Sequence, residues 1–574
     1  MWGYQRHIQI ALQVRAESLF RQIDPKFKPT VFFLGVLVDD REDRRPICLE
    51  PEDCGYSVEA FKDIRKLAEE LENVDEEKRI HHSHPTAQEN HNKRIRRRAL
   101  IKAIDKILKR ENAYGKTEQY ISSPAYIDGF LVFVVLEMQK EALAKHYSLT
   151  KDKLYDRYTI RRSFIESTIN TFLKEATSAL KEPDNPSPIG RPMEELLRES
   201  ATEFMYSISS AGKNVHGLHG LYDACDTISS LKYEGAEGLG KMVIAPENHP
   251  NIRFTLQLNE PIPISDFRKV RKFLELSNDD SLIISDSAVI YGLGELTGKY
   301  NPKEESLFTI NFISHYKWEV LHDNNKMMVV EYKRPNIPKE KIDRDKFYSD
   351  LKRIFANIEN SQLDDLWDII NQATKQKHGT MLVISAKAKK EAKRLGKQCF
   401  TLKPLKLTAN LVQQVTSIDG AVLLDKDSIC HAIGVILDGI ATDKGDSARG
   451  ARYNSAIRYY EHFGKKQSSV IVIISEDGMI NLIPSLKPQI RHSEILKAIE
   501  DLNQLSENEE QDRKRFGKLM GYFNSIEFYL TADECYQINT LRKKIEDNDK
   551  SGDVRIVWKD LKPNSEMNES YYFD

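Results

Sequence analysis

The feature that most constrains the fold is a regular alternation of short apolar runs and glycine turns between residues 378 and 480. Runs such as TMLVIS and VIVIIS are long enough for one buried strand and too short for a membrane span. Uninterrupted apolar runs of this length are typical of strands that are covered on both faces. Isolated polar residues stand at the ends of the runs, where an α/β sheet carries its ligand site. The stretch therefore predicts an α/β domain with a nucleotide site at its strand ends.

The same pattern occurs once more, earlier in the chain. Asp279–Gly294 aligns without a gap with Asp419–Gly434, 140 positions later, and Gly240 precedes Gly379 by 139. The earlier copy has Asp-Asp-Ser in place of Asp-Gly-Ala, and it lacks a counterpart of the later RGARYNSA segment. A repeated supersecondary unit predicts a tandem duplication. On this interpretation the first copy keeps the fold but lacks the residues for catalysis. The alternative is a chance similarity between two α/β patterns.

These patterns predict a mixed-sheet α/β protein with four regions. We place an N-terminal α/β sensor-like module at residues 1–205, the degenerate copy at 206–345, the intact copy at 346–492 and a helical tail at 493–574. The proline-rich segment between residues 182 and 192 is the first predicted linker. The polar residues at the C-terminus predict a frayed end.

Composition narrows the class of protein. The chain has 574 residues, is 40% hydrophobic and carries a net charge of −2, so no global basic field favours nucleic acid as a partner. No apolar run reaches the roughly 18 residues of a membrane span, and the N-terminal helix lacks the core of a signal peptide. The six cysteines are scattered without a CxxC pair, which suits a reducing compartment. We expect a cytoplasmic protein that is not embedded in a membrane.

The polar residues of the intact copy stand at strand mouths. Gly379 and Thr380 open one buried strand, where a glycine lets backbone amides face a ligand and the threonine adds a hydroxyl. Asp419, Gly420 and Ala421 open the next strand. An aspartate beside two residues with little side chain can hold a metal ion or a ribose hydroxyl, and its neighbours leave room for a purine or a sugar.

A phosphate site is predicted beside them. Gly450 and Arg452 stand at the start of a helix, where an anion is already favoured and a guanidinium adds a fork of donors. Ser475 and Glu476 end a strand and supply a second carboxylate. This set suits a nucleoside triphosphate and phosphoryl or nucleotidyl transfer. The chain has neither a Walker A sequence nor the kinase motifs, which disfavours those classes.

The four blocks HGT, DGA, GARYN and SED, in this order, resemble the diadenylate cyclase domain, the nucleotide-binding domain of the DNA-integrity-scanning protein and its relatives. The resemblance implies that two domains meet face to face, each holding one ATP, and form cyclic di-AMP and pyrophosphate with Mg²⁺ or Mn²⁺. It implies that Asp419 holds the metal and the attacking hydroxyl, with Glu476 as the second metal-binding acid, and that Arg452 binds phosphate. Tyr453 and Asn454 occupy further nucleotide-binding positions.

The chain departs from the family pattern at one block. The family has Thr-Arg-His-Arg where this chain has Ala451, Arg452, Tyr453 and Asn454, so a hydroxyl, a histidine and a second cation are absent. We therefore expect a diadenylate cyclase that is regulated by its N-terminal regions and self-associates through the cyclase domain as a homodimer or larger assembly. The alternative is a weak or inactive nucleotide-binding sensor of the same fold.

A histidine cluster gives a third interpretation. HHSHP, from His81 to Pro85, could bind a metal or a partner, but no downstream Ser-x-x-Asp pattern of a metal-dependent hydrolase follows it. Histidines in one loop are no preformed metal site, so we favour a structural role. The adjacent RIRRR run is more typical of a solvated helix face than of a nucleic-acid patch.

Overall fold

The structure is a computed structural model that describes the chain except residues 40–43, 113–114, 152, 155–157, 183–190, 213–219, 233–236, 339–343, 356, 377, 441–449, 476–479, 508–512 and 549–557. The described chain divides into two compact units, Met1–Pro338 and Lys339–Asp574. The predicted boundary near residue 205 lies inside the first unit. Most of the predicted proline-rich linker and the acid Glu476 lie outside the described residues.

The first unit begins with helices on an antiparallel sheet. Its first elements are α1 (Gln5–Ile23), β1 (Thr30–Leu37), β2 (Ile47–Glu50), α2 (Ile64–Asn73), α3 (Pro85–Glu111), β3 (Thr117–Ile121), β4 (Ala125–Ile127), β5 (Phe130–Gln139) and α4 (Lys140–Ala144). The strand order is β2-β1-β5-β3, with β4 also on β5. Alternate residues of β1 enter two cores, Phe33 on the α1 side and Phe32 on the α2 and α3 side. The continuous apolar run of β1 is thus explained by helices on both faces.

A second sheet fills the rest of this unit. The elements that lead to it are β6 (Lys153–Leu154), β7 (Tyr158–Thr159), α5 (Phe164–Ala179), α6 (Met193–Ser210) and α7 (Leu221–Ser230). The sheet region contains β8 (Gly240–Ile244), β9 (Ile252–Pro263), α8 (Phe267–Leu274), β10 (Leu282–Ser285), β11 (Val289–Leu296), β12 (Phe308–Ser314), β13 (Lys317–His322), β14 (Asn325–Glu331) and β15 (Arg334–Asn336). Its strand order is β15-β14-β13-β12-β8-β10-β11-β9.

The second unit is an α/β/α sandwich followed by helices. Its elements are α9 (Arg344–Ile354), α10 (Asn360–Ala373), β16 (Thr380–Ser385), α11 (Ala388–Arg394), β17 (Phe400–Lys406), α12 (Ala409–Val415), β18 (Ala421–Leu424), β19 (Ile429–Val435), α13 (Ala451–His462), β20 (Ser469–Ile474), β21 (Ile480–Ile483), α14 (His492–Glu507), α15 (Arg513–Ser525) and α16 (Ala532–Asn548). The strand order is β17-β19-β18-β16-β20-β21. One face of the sheet packs on α9, α10 and α12, and the other on α11 and α13.

The two larger sheets repeat one topology, as the sequence predicts. The order β9-β11-β10-β8-β12-β13 corresponds strand by strand to β17-β19-β18-β16-β20-β21. In both, the only parallel pairing within these six described strands joins the first strand to the third, β8 to β10 and β16 to β18. Met242 pairs with Ile283 in the core that contains α7 and α8, and Leu382 pairs with Val422 in the core that contains α10 and α12. By these matching faces Met242 corresponds to Leu382, an offset of 140, so Gly240 is not the structural counterpart of Gly379.

The two copies differ in structure at the place where the earlier copy lacks a counterpart of the RGARYNSA segment. The intact copy has α13 between β19 and β20, whereas a single described turn of 3-10 helix, Pro302–Glu304, lies between β11 and β12. The face of the degenerate sheet that corresponds to the α11 and α13 side has only a small cluster of buried side chains around Val243 and Ile284. Among its described residues the degenerate copy thus lacks counterparts of both α13 and α11, since no helix lies between β8 and β9.

The predicted frayed C-terminus is wrong, because the last residues are packed. Tyr571 is 6% exposed and lies under the guanidinium of Arg353, 4.2 Å from its ring centre. The Asp574 carboxylate accepts hydrogen bonds from the backbone amides of His492 (2.6 Å) and Ser493 (2.9 Å) at the start of α14. Hydrogen bonds from the side chain and backbone of Ser493 lower the pKa of Asp574 to about 2. Aromatic side chains and a helix cap hold this polar-looking segment in place.

Candidate functional site

A cleft of about 1190 Å³ lies at one end of the intact sheet. It is formed by the mouths of β16 and β18, the ends of β19 and β20, and the first turns of α13. Six predicted site residues line it: Asp419, Gly420, Gly450, Arg452, Tyr453 and Ser475. Residues that are far apart in sequence thus meet at one concave site, as expected where crossover connections put strand ends together.

Asp419 and Arg452 face each other across this cleft. The Arg452 Nη2 atom lies 3.4 Å from Asp419 Oδ1. The Asp419 side chain is 93% exposed, and that of Arg452 is 37% exposed. An exposed carboxylate can take a metal ion or a sugar hydroxyl without the energetic penalty of a buried charge. The site therefore holds an acid and a cation within reach of one bound molecule.

Gly420 is required by the backbone around it. Its φ is +104°, and a Cβ at this position would lie 2.7 Å from the carbonyl carbon of Gly434. The hairpin of β18 and β19 brings the two glycines this close. Gly434 also has a positive φ, +58°. The glycine is thus explained by the close approach of two strands, and the same small residue leaves the cleft wall open.

Helix α13 presents one face to the cleft. Ala451, Ser455 and Arg458 line the cleft and recur at the spacing i, i+4, i+7. Gly450 is the N-cap residue, with φ −66° and ψ 169°. Amides at a helix start that lack helical acceptors favour an anion there, and Arg452 in the first turn adds charge. The cleft end of α13 is therefore suited to phosphate.

A buried network fixes α13 against the sheet. Glu391 on α11 is 2% exposed and accepts hydrogen bonds from Tyr459 Oη (2.9 Å), Gln467 Nε2 (3.0 Å) and Arg394 Nη2 (2.6 Å). Arg394 also pairs with both Asp438 carboxylate oxygens, at 2.6 and 2.7 Å. Because the Arg394 guanidinium is planar and donates to both carboxylates, it fixes the distance and the relative orientation of Glu391 and Asp438. The network links α11, α13 and the segment after β19, which frame the cleft.

Charge pairing in this network moves its pKa values. Burial acts to raise the pKa of Glu391, but hydrogen bonds from Arg394, Gln467 and Tyr459 outweigh it, and the pKa lies below its usual value. The Arg394 hydrogen bonds likewise lower the pKa of Asp438. Burial, followed by the charge of Glu391, raises the pKa of Tyr459. Both carboxyls are therefore ionised, and the tyrosine neutral, at physiological pH.

Four predicted residues lie away from the cleft. Gly379, Thr380 and Ala421 are buried and do not line it. The Thr380 hydroxyl has no hydrogen-bond partner among the described residues. Asn454 turns its side chain back, and its Nδ2 donates to the Gly450 carbonyl at 3.4 Å. None of these four residues lines the cleft in this structure.

The structure adds cleft residues that the sequence interpretation missed. Asn481 on β21 reaches the cleft because it pairs with Ile473 on β20. Residues 434–437 line it at the end of β19. Ser455 and Arg458 were recognisable from sequence, since their spacing from Ala451 places all three on one helix face. Nothing in the sequence indicated Asn481, because its position depends on strand pairing.

The degenerate copy carries an ion pair at the matching place. Asp279, the counterpart of Asp419, accepts a hydrogen bond from Lys241 Nζ at 2.6 Å. The hydrogen bond and charge of Lys241 lower the pKa of Asp279. A lysine of the first strand thus neutralises the acid, while in the intact copy the facing cation comes from α13. The eroded copy keeps the acid, and its described residues include no counterpart of α13 beside it.

The HHSHP segment forms no metal cluster among the described residues. His91 Nε2 bonds to the Glu77 carbonyl at 2.9 Å, and His91 Nδ1 accepts from Arg94 at 3.1 Å. The His82 ring packs edge-on against His91 at 4.8 Å. Arg98 in the basic run pairs with the acids at positions 75 and 77 of the same unit. These contacts join the loop to α3 and support a structural role.

Comparison with known protein families identifies the intact copy. A family model described as the DisA bacterial checkpoint controller nucleotide-binding domain, DAC, matches residues 368–486. This part of the chain is thus similar to the DAC domain family. The match contains the cleft, Asp419 and α13, so these are features of the DAC domain. It confirms the family that the sequence motifs indicate.

Two further family models match the first unit. The Probable sensor domain DACNG matches residues 1–205, and the Probable sensor domain DACNH matches residues 219–324. The second range contains the degenerate sheet from β8 to β13. The fold class predicted from sequence is thereby confirmed: sensor-type α/β domains precede a DAC domain, and helices follow it.

Solved structures also match the chain. DacA from Staphylococcus aureus, crystallised as a double mutant, is 16% identical over 22% of this chain and 87% of its own, with a TM-score of 0.19. A hypothetical membrane spanning protein from Bacillus cereus is 22% identical over 24% of this chain and 65% of its own, also with a TM-score of 0.19. A search of curated proteins finds no significant match. In the described part of this chain, no helix has the length and apolar character to cross a bilayer.

Proposed function

We propose that the protein is a diadenylate cyclase, which condenses two ATP molecules into cyclic di-AMP and two pyrophosphates. The observation that carries this proposal is the pairing of Asp419 with Arg452 across a cleft that ends at the start of α13. An acid for the ribose side and a cation for the phosphate side are what a nucleotidyl transfer needs. The DAC match gives ATP as the nucleotide to test first.

The chain's own residues would act by positioning and by charge. Arg452 and the first amides of α13 would bind phosphate oxygens and stabilise the charge that develops on them. Asp419 would accept a hydrogen bond from the 3′-hydroxyl, which attacks the α-phosphorus of the second ATP. Gly420 would let the nucleoside lie against the backbone. The bond formed is 3′-oxygen to phosphorus, the bond broken is the one to pyrophosphate, and the hydroxyl proton leaves to solvent.

A divalent metal fits the donors that are present. Mg²⁺ is commonly held by one or two carboxylates together with substrate phosphates, and Asp419 offers one exposed carboxylate in the cleft. We propose that Asp419 holds Mg²⁺ or Mn²⁺, with Glu476, outside the described residues, as the second acid. The bound metal would neutralise phosphate charge and raise the acidity of the attacking hydroxyl.

Catalysis would require two chains. Each 3′-hydroxyl attacks the other nucleotide, so two phosphate sites are needed. The degenerate copy has no counterpart of α13 among its described residues, and its acid is paired with Lys241. It therefore offers no second phosphate site, and we propose self-association through the DAC domain. The sensor-type families in the first unit support regulation by a stimulus, and the need for ATP supports the cytoplasm as the location.

A second function has its own supporting observation. Asn454 stands where the family motif has its second arginine, and it bonds back to Gly450. A neutral amide in that role weakens phosphate binding relative to a charged donor. The second candidate is therefore a nucleotide-binding sensor with slow or absent turnover.

One experiment separates the two functions. Full-length protein is incubated with ATP and Mn²⁺, products are identified by mass spectrometry, and ATP binding is measured by calorimetry. Cyclic di-AMP that disappears in Asp419→Asn supports the cyclase. Tight ATP binding without product supports the sensor and rejects the cyclase.

A further inference from the structure

Helix α13 brings a second arginine into the cleft. Arg458 lines it together with Arg452, and it is half-buried. Among the described residues its guanidinium makes one hydrogen bond, in which Nε donates to the Asn454 carbonyl at 3.1 Å, and it forms no ion pair. A half-buried guanidinium has five donors, and this bond uses only one of them. The remaining donors can serve a ligand in the cleft.

The position of Arg458 matches the cation that the DAC motif lacks here. Arg458 follows Asn454 by four residues, which is one helical turn on the same side of the helix. Helical side chains lean toward the N-terminus, and the bond from Arg458 to the Asn454 carbonyl shows this direction. The guanidinium is thus carried back toward the turn at which the motif would place its second arginine.

We propose that Arg458 binds a phosphate group of the nucleotide and replaces the missing second arginine. This inference rests on the proposed nucleotide site and adds a residue to it. Arg452 and Arg458 are six residues apart on α13, about 9 Å along the helix axis, so they contact different phosphate groups. The ligand class is a nucleoside triphosphate, in which Arg452 holds one phosphate and Arg458 another.

The backbone at this point is held firmly. A Cβ on Gly439 would lie 2.7 Å from the backbone carbonyl carbon and oxygen of Arg458, so residue 439 packs directly on the helix. The next residue, Tyr459, is buried and bonds to Glu391 at 2.9 Å. The base of the Arg458 side chain is therefore positioned by packing that does not depend on its own guanidinium. Shortening the side chain leaves the helix in place.

Binding of ATP and of adenosine to full-length protein tests the proposal. Arg458→Ala should weaken ATP binding roughly tenfold to a hundredfold, because a charge-assisted phosphate contact is lost. Adenosine binding should stay unchanged, since adenosine has no phosphate. Arg458→Lys should recover part of the ATP affinity, because the charge remains while the fork of donors is lost. Lys466→Ala, an exposed charge just beyond α13, is the matched control and should bind ATP like the wild type.

The outcomes separate this inference from the cyclase proposal. Equal ATP affinity of Arg458→Ala and wild type would overturn the role of Arg458, whatever the turnover. Equal losses for ATP and adenosine would mean a structural role and would overturn it as well. Wild type that binds ATP through Arg458 without forming product would reject the cyclase alone. Wild type that binds no ATP would overturn both.

Discussion

The Nη2 atom of Arg452 lies 3.4 Å from Oδ1 of Asp419, at the mouth of a cleft that would hold a nucleotide. Exposed ion pairs of this kind contribute at most about 1 kcal/mol. A phosphate and a metal ion can therefore replace the two partners at small energetic cost. Under the proposed function, a bound nucleotide would separate this pair.

Asp419→Asn should abolish most turnover without unfolding the protein. The side chain is 93% exposed and its described partner is Arg452, so thermal stability should stay unchanged. Loss of one charged group that acts in the transition state lowers the rate by about 100-fold or more. Cyclic di-AMP formation is measured by mass spectrometry at saturating Mn²⁺. Wild-type turnover in this variant would show that the acid has no catalytic role.

Asp279→Asn is the matched control in the degenerate copy. It removes the acid at the corresponding position, where Lys241 already neutralises it. We expect unchanged turnover and unchanged thermal stability. The same assay is used at the same metal concentration. A loss of turnover comparable to that of Asp419→Asn would contradict the view that the first copy lacks chemistry.

Gly420→Ala should destabilise the second unit and reduce nucleotide binding. The added Cβ would meet the Gly434 backbone at 2.7 Å, and the φ of +104° is unfavourable for alanine. A penalty of about 1–3 kcal/mol is expected from backbone strain. Gly517→Ala is the control, since its Cβ meets nothing within 4 Å in α15, and it should stabilise by about 0.5–1 kcal/mol. Denaturant unfolding measures both, and equal midpoints would contradict the expectation.

Lowering the pH should destabilise the buried network of Glu391, Arg394 and Asp438 that frames the cleft. The pKa values of Glu391 and Asp438 are lowered in the folded protein, so the stability they contribute is present above their unfolded pKa values, near 4. That stability is lost as pH falls through the lower folded values. Thermal unfolding between pH 6 and about pH 3 should show a decline that is shallower in Asp438→Asn. An identical decline in wild type and variant would exclude this linkage.

Tyr571→Ala should destabilise the C-terminal helices. The side chain is 6% exposed, and Arg353 lies over its ring at 4.2 Å. Truncation of a buried aromatic side chain costs about 3 kcal/mol. Phe573→Ala, two residues on and 56% exposed, should change stability by less than about 0.5 kcal/mol. Urea unfolding followed by circular dichroism measures the free energy of unfolding of both variants. Equal losses of stability would indicate that the C-terminus is frayed.

The sequence by itself determined the buried strands, the duplication and two residues, Asp419 and Arg452, that line the cleft. Apolar runs bounded by glycine predict buried strands from local sequence alone. The 140-residue repeat could be recognised because both copies keep the same strand pattern. Asp419 and Arg452 were recognisable because their neighbours, a strand mouth and a helix start, are local features.

Only the tertiary structure decided which of the predicted residues share the cleft. Strand pairing brought Asn481 into the cleft, and the direction of the Asn454 side chain kept that residue out of it. Packing of aromatic side chains held the C-terminus that its polar composition marked as frayed. Local pattern fixes the type of each element, whereas register, facing side chains and the contacts of termini depend on residues distant in sequence.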